Sequence, residues 1–374
     1  MRTARVAIEA TLWLLFTSGL AFATDMLKAV GLPPAEGTIV SAAFSPDNIH
    51  LAIIRSNASD RQNELHVLDV RTGKEVSHVS VQEESFCQDS QHAMSYSSDG
   101  RYLLLTATGA DAVLVFDTTE FQVAKRIVLH PLARPLLSQR PNYFRGVISL
   151  ATASKADIFG VLTHDELRGN EIFMGSFSSL AISKSWSIGQ GRTFSQIGHS
   201  ALSLADDGLQ VAVSILPEGN KVPKNFDNLR LYDSKTGSPL NMIRTGALIG
   251  QIKVLPDQTV LTARLDAPSM FGKKACLEIW SFATGKLTQT YCDANLNVEV
   301  TFATAKTNSI VVGFAAQVHK DFEGHIEKVN GRIIVWNAPG NIVSESQEFP
   351  NLVRDIVVSP DSNWIFAAQT LFSR

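Results

Sequence analysis

The run His319-Lys320-Asp321-Phe322-Glu323-Gly324-His325 places His, Asp, Glu and His at every second position of the 374-residue chain. In an extended strand alternate side chains share one face, and two imidazoles with two carboxylates form a donor set that suits a transition metal. The run is also mixed in charge and sits in a connection between two strand-like segments, which is the composition of a solvated loop. No metal ligand is assigned on that reading. Asp206-Asp207 is a carboxylate pair of the kind used in acid–base chemistry, but Gly208 follows it and makes it a turn. Gly198-His199-Ser200-Ala201-Leu202 lacks the second glycine of a nucleophile elbow. His164-Asp165-Glu166-Leu167 copies a retention signal but is internal, where it is no address. There is no C-x-x-C-H for covalent haem. Asn57-Ala58-Ser59 is a glycosylation sequon that matters only in a eukaryotic secretory pathway. These residues assign no catalytic, cofactor-binding or metal-binding position, and a binding role is expected rather than an enzymatic one.

The three thiols are Cys87, Cys276 and Cys292. Cys276 starts and Cys292 ends a hairpin that turns at Ala283-Thr284-Gly285. Pairing symmetric about Thr284 sets the two cysteines opposite each other. Directly opposed Cβ atoms lie about 4.5–5.5 Å apart, slightly beyond disulfide spacing. An oxidising compartment permits the bond; two separate thiols is the other outcome. Cys87 is left over in both.

Lys plus Arg number 33 against 36 Asp plus Glu, for a net charge of −3. With no cationic cluster, a nucleic-acid partner is not expected. Hydrophobic residues are 45% and charged residues 18%, enough apolar chain for a real core and too little charge for a coiled coil or a disordered segment. Arg2 and Arg5 precede the uncharged, mostly apolar run from Ala10 to Ala23, which ends in Ala21-Phe22-Ala23. That is the layout of an export signal, with Glu9 slightly blurring its start, and the run is too short to cross about 30 Å of hydrocarbon as a helix. The expected divisions are 1–23 as signal peptide, 24–37 as an N-terminal segment and 38–374 as the folded body, periplasmic or secreted.

The elements that would position any site repeat. Turn signals recur 50–56 residues apart, at Ser45-Pro46-Asp47, Ser98-Asp99-Gly100, Ser154-Lys155-Ala156-Asp157, Asp206-Asp207-Gly208, Leu255-Pro256-Asp257, Ala305-Lys306-Thr307-Asn308 and Ser359-Pro360-Asp361. Pro presets the turn φ, and Asp or Asn bonds its own backbone there. An apolar β-branched run follows each, such as Leu51 to Ile54. Then comes an alternating strand: Leu65 to Asp69, Val113 to Asp117, Leu229 to Asp233, Leu277 to Ser281 and Ile333 to Asn337. Turns such as Arg71-Thr72-Gly73-Lys74 and Lys235-Thr236-Gly237 lead into a more polar strand. Four short strands in about fifty residues leave no room for helices.

This pattern, from about residue 38 to 370, resembles the blades of WD-repeat-like (and YVTN-like) β-propellers, although the Gly-His and Trp-Asp signatures are mostly missing. The resemblance implies an all-β chain: a single propeller of about seven blades of four antiparallel strands. The seventh unit reaches Arg374 after what reads as its second strand. Residues 25–37 offer one outer strand, which leaves that blade incomplete with three strands or closed by the N-terminal segment with one still wanting.

The connections between second and third strands are long from Ser56 to Asn63, Leu216 to Asn228, Asp266 to Ala275 and Gln317 to Asn330. The linker from His130 to Phe144 is also long and carries Pro131, Arg134, Pro135, Arg140 and Pro141. In a propeller these two kinds of loop share one face, and long loops on a rigid scaffold carry function. The expected function is a scaffold that binds a protein partner there. The alternative implied by the resemblance is a periplasmic lactone hydrolase or quinone or haem oxidoreductase, with its site at the central channel. A His/Asp/Glu cluster at the channel mouth would favour the enzyme; small and apolar channel walls would favour the scaffold. The export signal predicts a mature chain starting at Thr24, and N-terminal sequencing of the extracytoplasmic protein should find it; Met1 on soluble cytoplasmic protein is the contrary result.

Overall fold

A computed structural model describes residues 25–373 apart from 31, 33–37, 57–62, 82–91, 108–110, 130–144, 166–168, 190–200, 216–225, 256–257, 266–275, 293–300, 305–309, 321–325, 338–341, 348–355 and 368–369. All the regular elements in it are β-strands. They form seven sheets; blades one to five are antiparallel in chain order from an inner to an outer strand, and blades six and seven are built the same way with a strand added from the N-terminal segment. Blade one comprises Thr38–Phe44, His50–Ser56, Asn63–Asp69 and Glu75–Val81. Blades two to five begin with the inner strands His92–Tyr96, Arg145–Thr152, Leu202–Leu204 and Leu248–Leu255. Blades six and seven begin with Thr301–Thr304 and Ile356–Val358.

The burial pattern explains the ring. Leu51, Ala52, Ile53 and Ile54 are consecutive in the second strand of blade one, and each is 0% exposed. Successive residues face opposite sides of a sheet, so both sides of the blade are covered. Ala52 and Ile54 pack with Leu103 and Leu105 of blade two. Leu51 and Ile53 pack with Phe366 and Leu371 of blade seven. Between blades five and six, Leu261 and Leu277 join Ile334 and Trp336, with the Tyr291 and Trp336 rings 5.9 Å apart. The outer strand Glu75–Val81 has mostly exposed or partly exposed residues and a buried end at Val81, which matches its polar sequence.

The ring closes by pairing the two ends of the chain. Ile356–Val358 precedes the Ser359-Pro360-Asp361 turn, so the innermost strand of each blade comes before its turn signal. Trp364–Ala367 and Thr370–Ser373 are therefore the second and third strands of blade seven. Lys28–Val30 adds antiparallel to Thr370–Ser373 as the fourth, with Ala29 opposite Phe372. No strand is wanting in this blade; the sequence count left it one short because it did not read Thr370–Ser373 as a strand. Asp25–Met26 pairs in parallel with Ile342–Glu345 and gives blade six a fifth strand.

One irregularity recurs. Between the third and fourth strands of blades one to six, the outer strand holds an extra residue at Val76, Ala124, Ser183, Leu240, Thr288 and Val343. Each is a β-bulge, which adds twist to the outer strand. The bulge decides the cysteine register. Ser281 pairs with Lys286 and Trp280 with Leu287; then Thr288 is skipped, Ile279 pairs with Gln289, and Cys276 comes to lie opposite Cys292. Symmetry about Thr284 thus holds at the cysteines only because of the extra residue.

The segment Gln317 to Asn330, expected as a loop, is largely strand. Ile310–Lys320 and Ile326–Asn337 are the longest strands of the fold and continue to pair through Gln317 with Asn330 and His319 with Lys328. The neighbouring inner strand pairs only as far as Phe314, and the outer one only from Ile334. β-Branched Val318, Ile326 and Val329 on both arms favour the strand conformation.

The register makes a prediction that does not depend on where the protein resides. Purified protein equilibrated with oxidised glutathione should yield a linked Cys276–Cys292 peptide on non-reducing mapping, closing a loop worth roughly 3 kcal/mol by chain entropy. Deleting Thr288 shifts the register by one residue and should abolish the link. Full alkylation of all three thiols after oxidation is the contrary result.

Candidate functional site

The two ends of the ring are built differently. At one end the inner and second strands join through tight turns. Ser45 Oγ donates to Asp47 Oδ1 at 2.5 Å and accepts from the His50 amide at 2.9 Å, while the Ile49 amide bonds Asp47 Oδ1 at 3.0 Å. Ser97 with Asp99 and Ser359 with Asp361 repeat the arrangement. The third and fourth strands join at the same end. There Asp69 Oδ1 accepts from the amide and hydroxyl of Thr72, both at 2.8 Å, and Asp233 does the same with Thr236. The Thr72 and Thr236 amides, followed by their hydroxyls, hold these two carboxyls below the usual carboxylate range. Asp207 is likewise a turn residue, accepting from the Leu209 amide at 2.9 Å, and Asp206 pairs with Lys155 of the neighbouring blade at 3.4 Å. These carboxylates are occupied in holding turns.

The opposite end emits the long connections. Of those expected to carry function, residues 57–62, 130–144, 216–225 and 266–275 lie outside the described residues, and so do Cys87, Asn57-Ala58-Ser59 and Gly198-His199-Ser200. Of the alternating His/Asp/Glu/His set, only His319 falls in a described strand. Among the described residues no three His, Cys, Asp or Glu converge as metal ligands. The roots of the connections are clamped. Asn228 is 0% exposed; its Nδ2 donates to Thr245 Oγ1 and to the Ala247 carbonyl, both at 2.7 Å, and its Oδ1 accepts from the Thr245 amide at 3.0 Å. It thereby ties the start of one strand to the linker into the next blade. Asn170 begins its strand the same way, donating to the Gly189 carbonyl at 3.4 Å and meeting His164 Nδ1 at 3.0 Å. An Asn just before a strand with alternating apolar residues is the sequence signal for this clamp, and the sequence reading did not use it.

Titratable groups also gather on the flank of blade one. His66 is buried, with Nδ1 2.6 Å from Glu75 Oε2 and Nε2 3.3 Å from Glu64. His78 Nδ1 lies 2.9 Å from the other oxygen of Glu75 and stacks on His66. The bond with His66 holds the Glu75 carboxyl below its usual range. Arg55 beside them is lowered by burial, against the pull of Glu75 and Glu64. The set is internally paired and joins three adjacent strands of one blade.

The bore contains a cavity of about 340 Å³ between the inner strands of blades one to five and seven. Its walls are small, hydroxyl-bearing or apolar, as at Ala43, Ser95, Ala151 and Val357, with Lys253 and Gln251 added from blade five. Among the described residues no Asp, Glu or His lines it. Burial pushes the Lys253 amine below the usual lysine range, opposed by the Asp206 carboxylate. Lys253 lies within the apolar run Ile252-Lys253-Val254. Aligning the inner strands at their turns is the signal that would have singled it out.

These features define the class of protein by fold: a β-propeller. No family model and no curated protein matches the sequence. Solved structures do match. The β-propeller domain of Myceliophteria thermophila Cps50 (Swd1) superimposes with a TM-score of 0.61 at 12% identity, over 93% of this chain and 99% of that one. The WD40 repeats of RRP9 give 0.60 at 11% identity, over 91% and 89%. U3-55K gives 0.59 at 12% identity, over 91% and 90%. At such identity the likeness is one of fold alone. No helix among the described residues is long and apolar enough to cross a membrane.

The clamp yields a measurable expectation. Asn228→Ala removes two donated bonds, strands the part-buried Thr245 amide and leaves the Ala247 carbonyl with only the Thr245 hydroxyl at 3.1 Å; it should cost about 1–3 kcal/mol, read as a lowered urea midpoint with an unchanged slope. A midpoint within error of wild type would show that the clamp is not structural.

Proposed function

We propose that this protein is an exported, non-catalytic propeller that captures a protein partner on the end bearing its long connections. The observation that carries the reading is the inequality of the two ends. One is closed by short hydrogen-bonded turns; the other emits the long connections and the hairpin formed by Ile310–Lys320 and Ile326–Asn337. Rigid roots such as the Asn228 clamp favour binding, since loops held at their bases lose less freedom on association. The described walls of the bore favour the scaffold, being small, hydroxyl-bearing or apolar apart from Gln251 and Lys253. Export rests on Arg2, Arg5 and Ala21-Phe22-Ala23.

The hairpin provides the test. Replacing residues 317–330 with Asn-Gly joins Ala316 to Gly331, which are opposed in register, through a two-residue turn. Tagged wild-type and shortened proteins are each recovered from the extracytoplasmic fraction of the source cells. The shortened protein should melt at the wild-type temperature and lose at least tenfold of the co-purifying partner. Equal recovery by both, with the connections 216–228 and 266–275 also shortened in turn, overturns the reading.

A further inference from the structure

The turn signals bring the inner strands into a common frame. Two residues before Ser45, Ser97, Ala153, Ala205, Leu255 and Ser359, each inner strand contributes one residue to a single level of the bore: Ala43, Ser95, Ala151, Ser203, Lys253 and Val357. The registers confirm the frame, since these residues pair with Ala52, Leu104, Gly160, Ala212, Leu261 and Phe366 of the second strands. Five of the six are small or apolar, and the sixth is a lysine.

The level is well satisfied except at the lysine. Ser203 Oγ accepts from the Val254 amide at 2.9 Å. Ser95 Oγ and Thr152 Oγ1 are 2.6 Å apart and bond each other. Asp206, the carboxylate that acts on Lys253, is engaged by Lys155 at 3.4 Å. Among the described residues no hydrogen bond or ion pair is formed by the Lys253 ammonium. Lys253 is partly buried among walls that mix apolar with hydroxyl-bearing side chains; an ammonium drawn out of water there without a partner carries a desolvation cost, which a neutral residue at that level would not. The cost is relieved when an anion enters. A cavity of about 340 Å³ is at the lower end of small-molecule sites, which run to roughly 300–1,000 Å³. Among the described residues, one cation with small, hydroxyl-bearing and apolar walls suits one carboxylate on a short, partly apolar body.

We propose that the bore is a carboxylate-binding site in which Lys253 pairs with the anion and the surrounding inner strands enclose its apolar part. The carboxylate belongs either to a small organic acid or to the C-terminus of a peptide chain threaded into the bore. A polyanion or an extended phosphate does not fit the one cation that the described walls supply.

Thermal melting with four probes decides it: sodium hexanoate, hexanamide, an N-acetylated tetrapeptide ending in a free leucine carboxylate, and the same peptide as its C-terminal amide. An acid at saturation should raise the Tm by about 2 °C or more, and its amide should not. Lys253→Met should abolish the shift and, unliganded, melt no lower than wild type, since it removes an unpaired cation. Lys253→Arg should retain the shift. A response to hexanoate alone identifies a free acid as the source, and a response to the peptide acid identifies a chain terminus. The proposal is overturned if neither acid shifts the wild type, if an amide works as well as its acid, or if Lys253→Met still responds. Should Lys253→Met not fold, the acid–amide comparison on the wild type decides alone.

Discussion

Everything in this fold depends on each blade having a neighbour on both sides. Leu51 with Ile53, and Ala52 with Ile54, face opposite ways from one strand, and all four are 0% exposed. Fully burying such a side chain is worth about 1.5–3 kcal/mol relative to exposure. A blade at the end of an open row would forfeit this over one whole face. The closing strand Lys28–Val30 is therefore more than an added edge. By completing the blade that covers Leu51 and Ile53, it lets the first and last blades share the core formed by Phe44, Phe366 and Leu371.

That constraint also explains what was legible in the sequence. The apolar second strands, the alternating third strands and the turn residues between them are local patterns, and they gave the class and the approximate blade count. The third strand of blade seven was not legible, because Thr370–Ser373 is four residues long and follows Trp364–Ala367 after only Ala368-Gln369, which carry no turn signal. The bulges were hidden for a similar reason. Val76, Ala124, Ser183, Leu240, Thr288 and Val343 share no residue type, so the extra residue is set by the twist between strands and not by its own chemistry. For Cys276 and Cys292, the symmetric count met the actual register because a turn centred between Ala283 and Thr284 and a one-residue bulge offset each other. The hairpin was hidden because His319, Lys320 and Lys328 make its sequence look solvated, whereas its backbone continues the ladder. Lys253 becomes visible only when six inner strands are stacked and compared at one level, a relation between residues about fifty positions apart.

Turn formation in this chain is mostly local, and that accounts for the combination of a shared fold with 11–12% identity. Asp69 and Asp233 are satisfied by a threonine three residues on, Asp117 by Thr119 two residues on, and Ser281 by the Thr284 amide at 3.3 Å. The Ser-x-Asp turns satisfy themselves within five residues. A blade specified this way requires few long-range polar partners. Its remaining demand is for apolar residues of suitable volume, which cores accept in many combinations. Substitutions can therefore accumulate through the blades without disturbing the ring. A polar exception in an otherwise permissive wall then carries information, and Lys253 is such an exception. Volume and hydrophobicity suffice to explain alanine, serine or valine at its level, but they do not explain an ammonium.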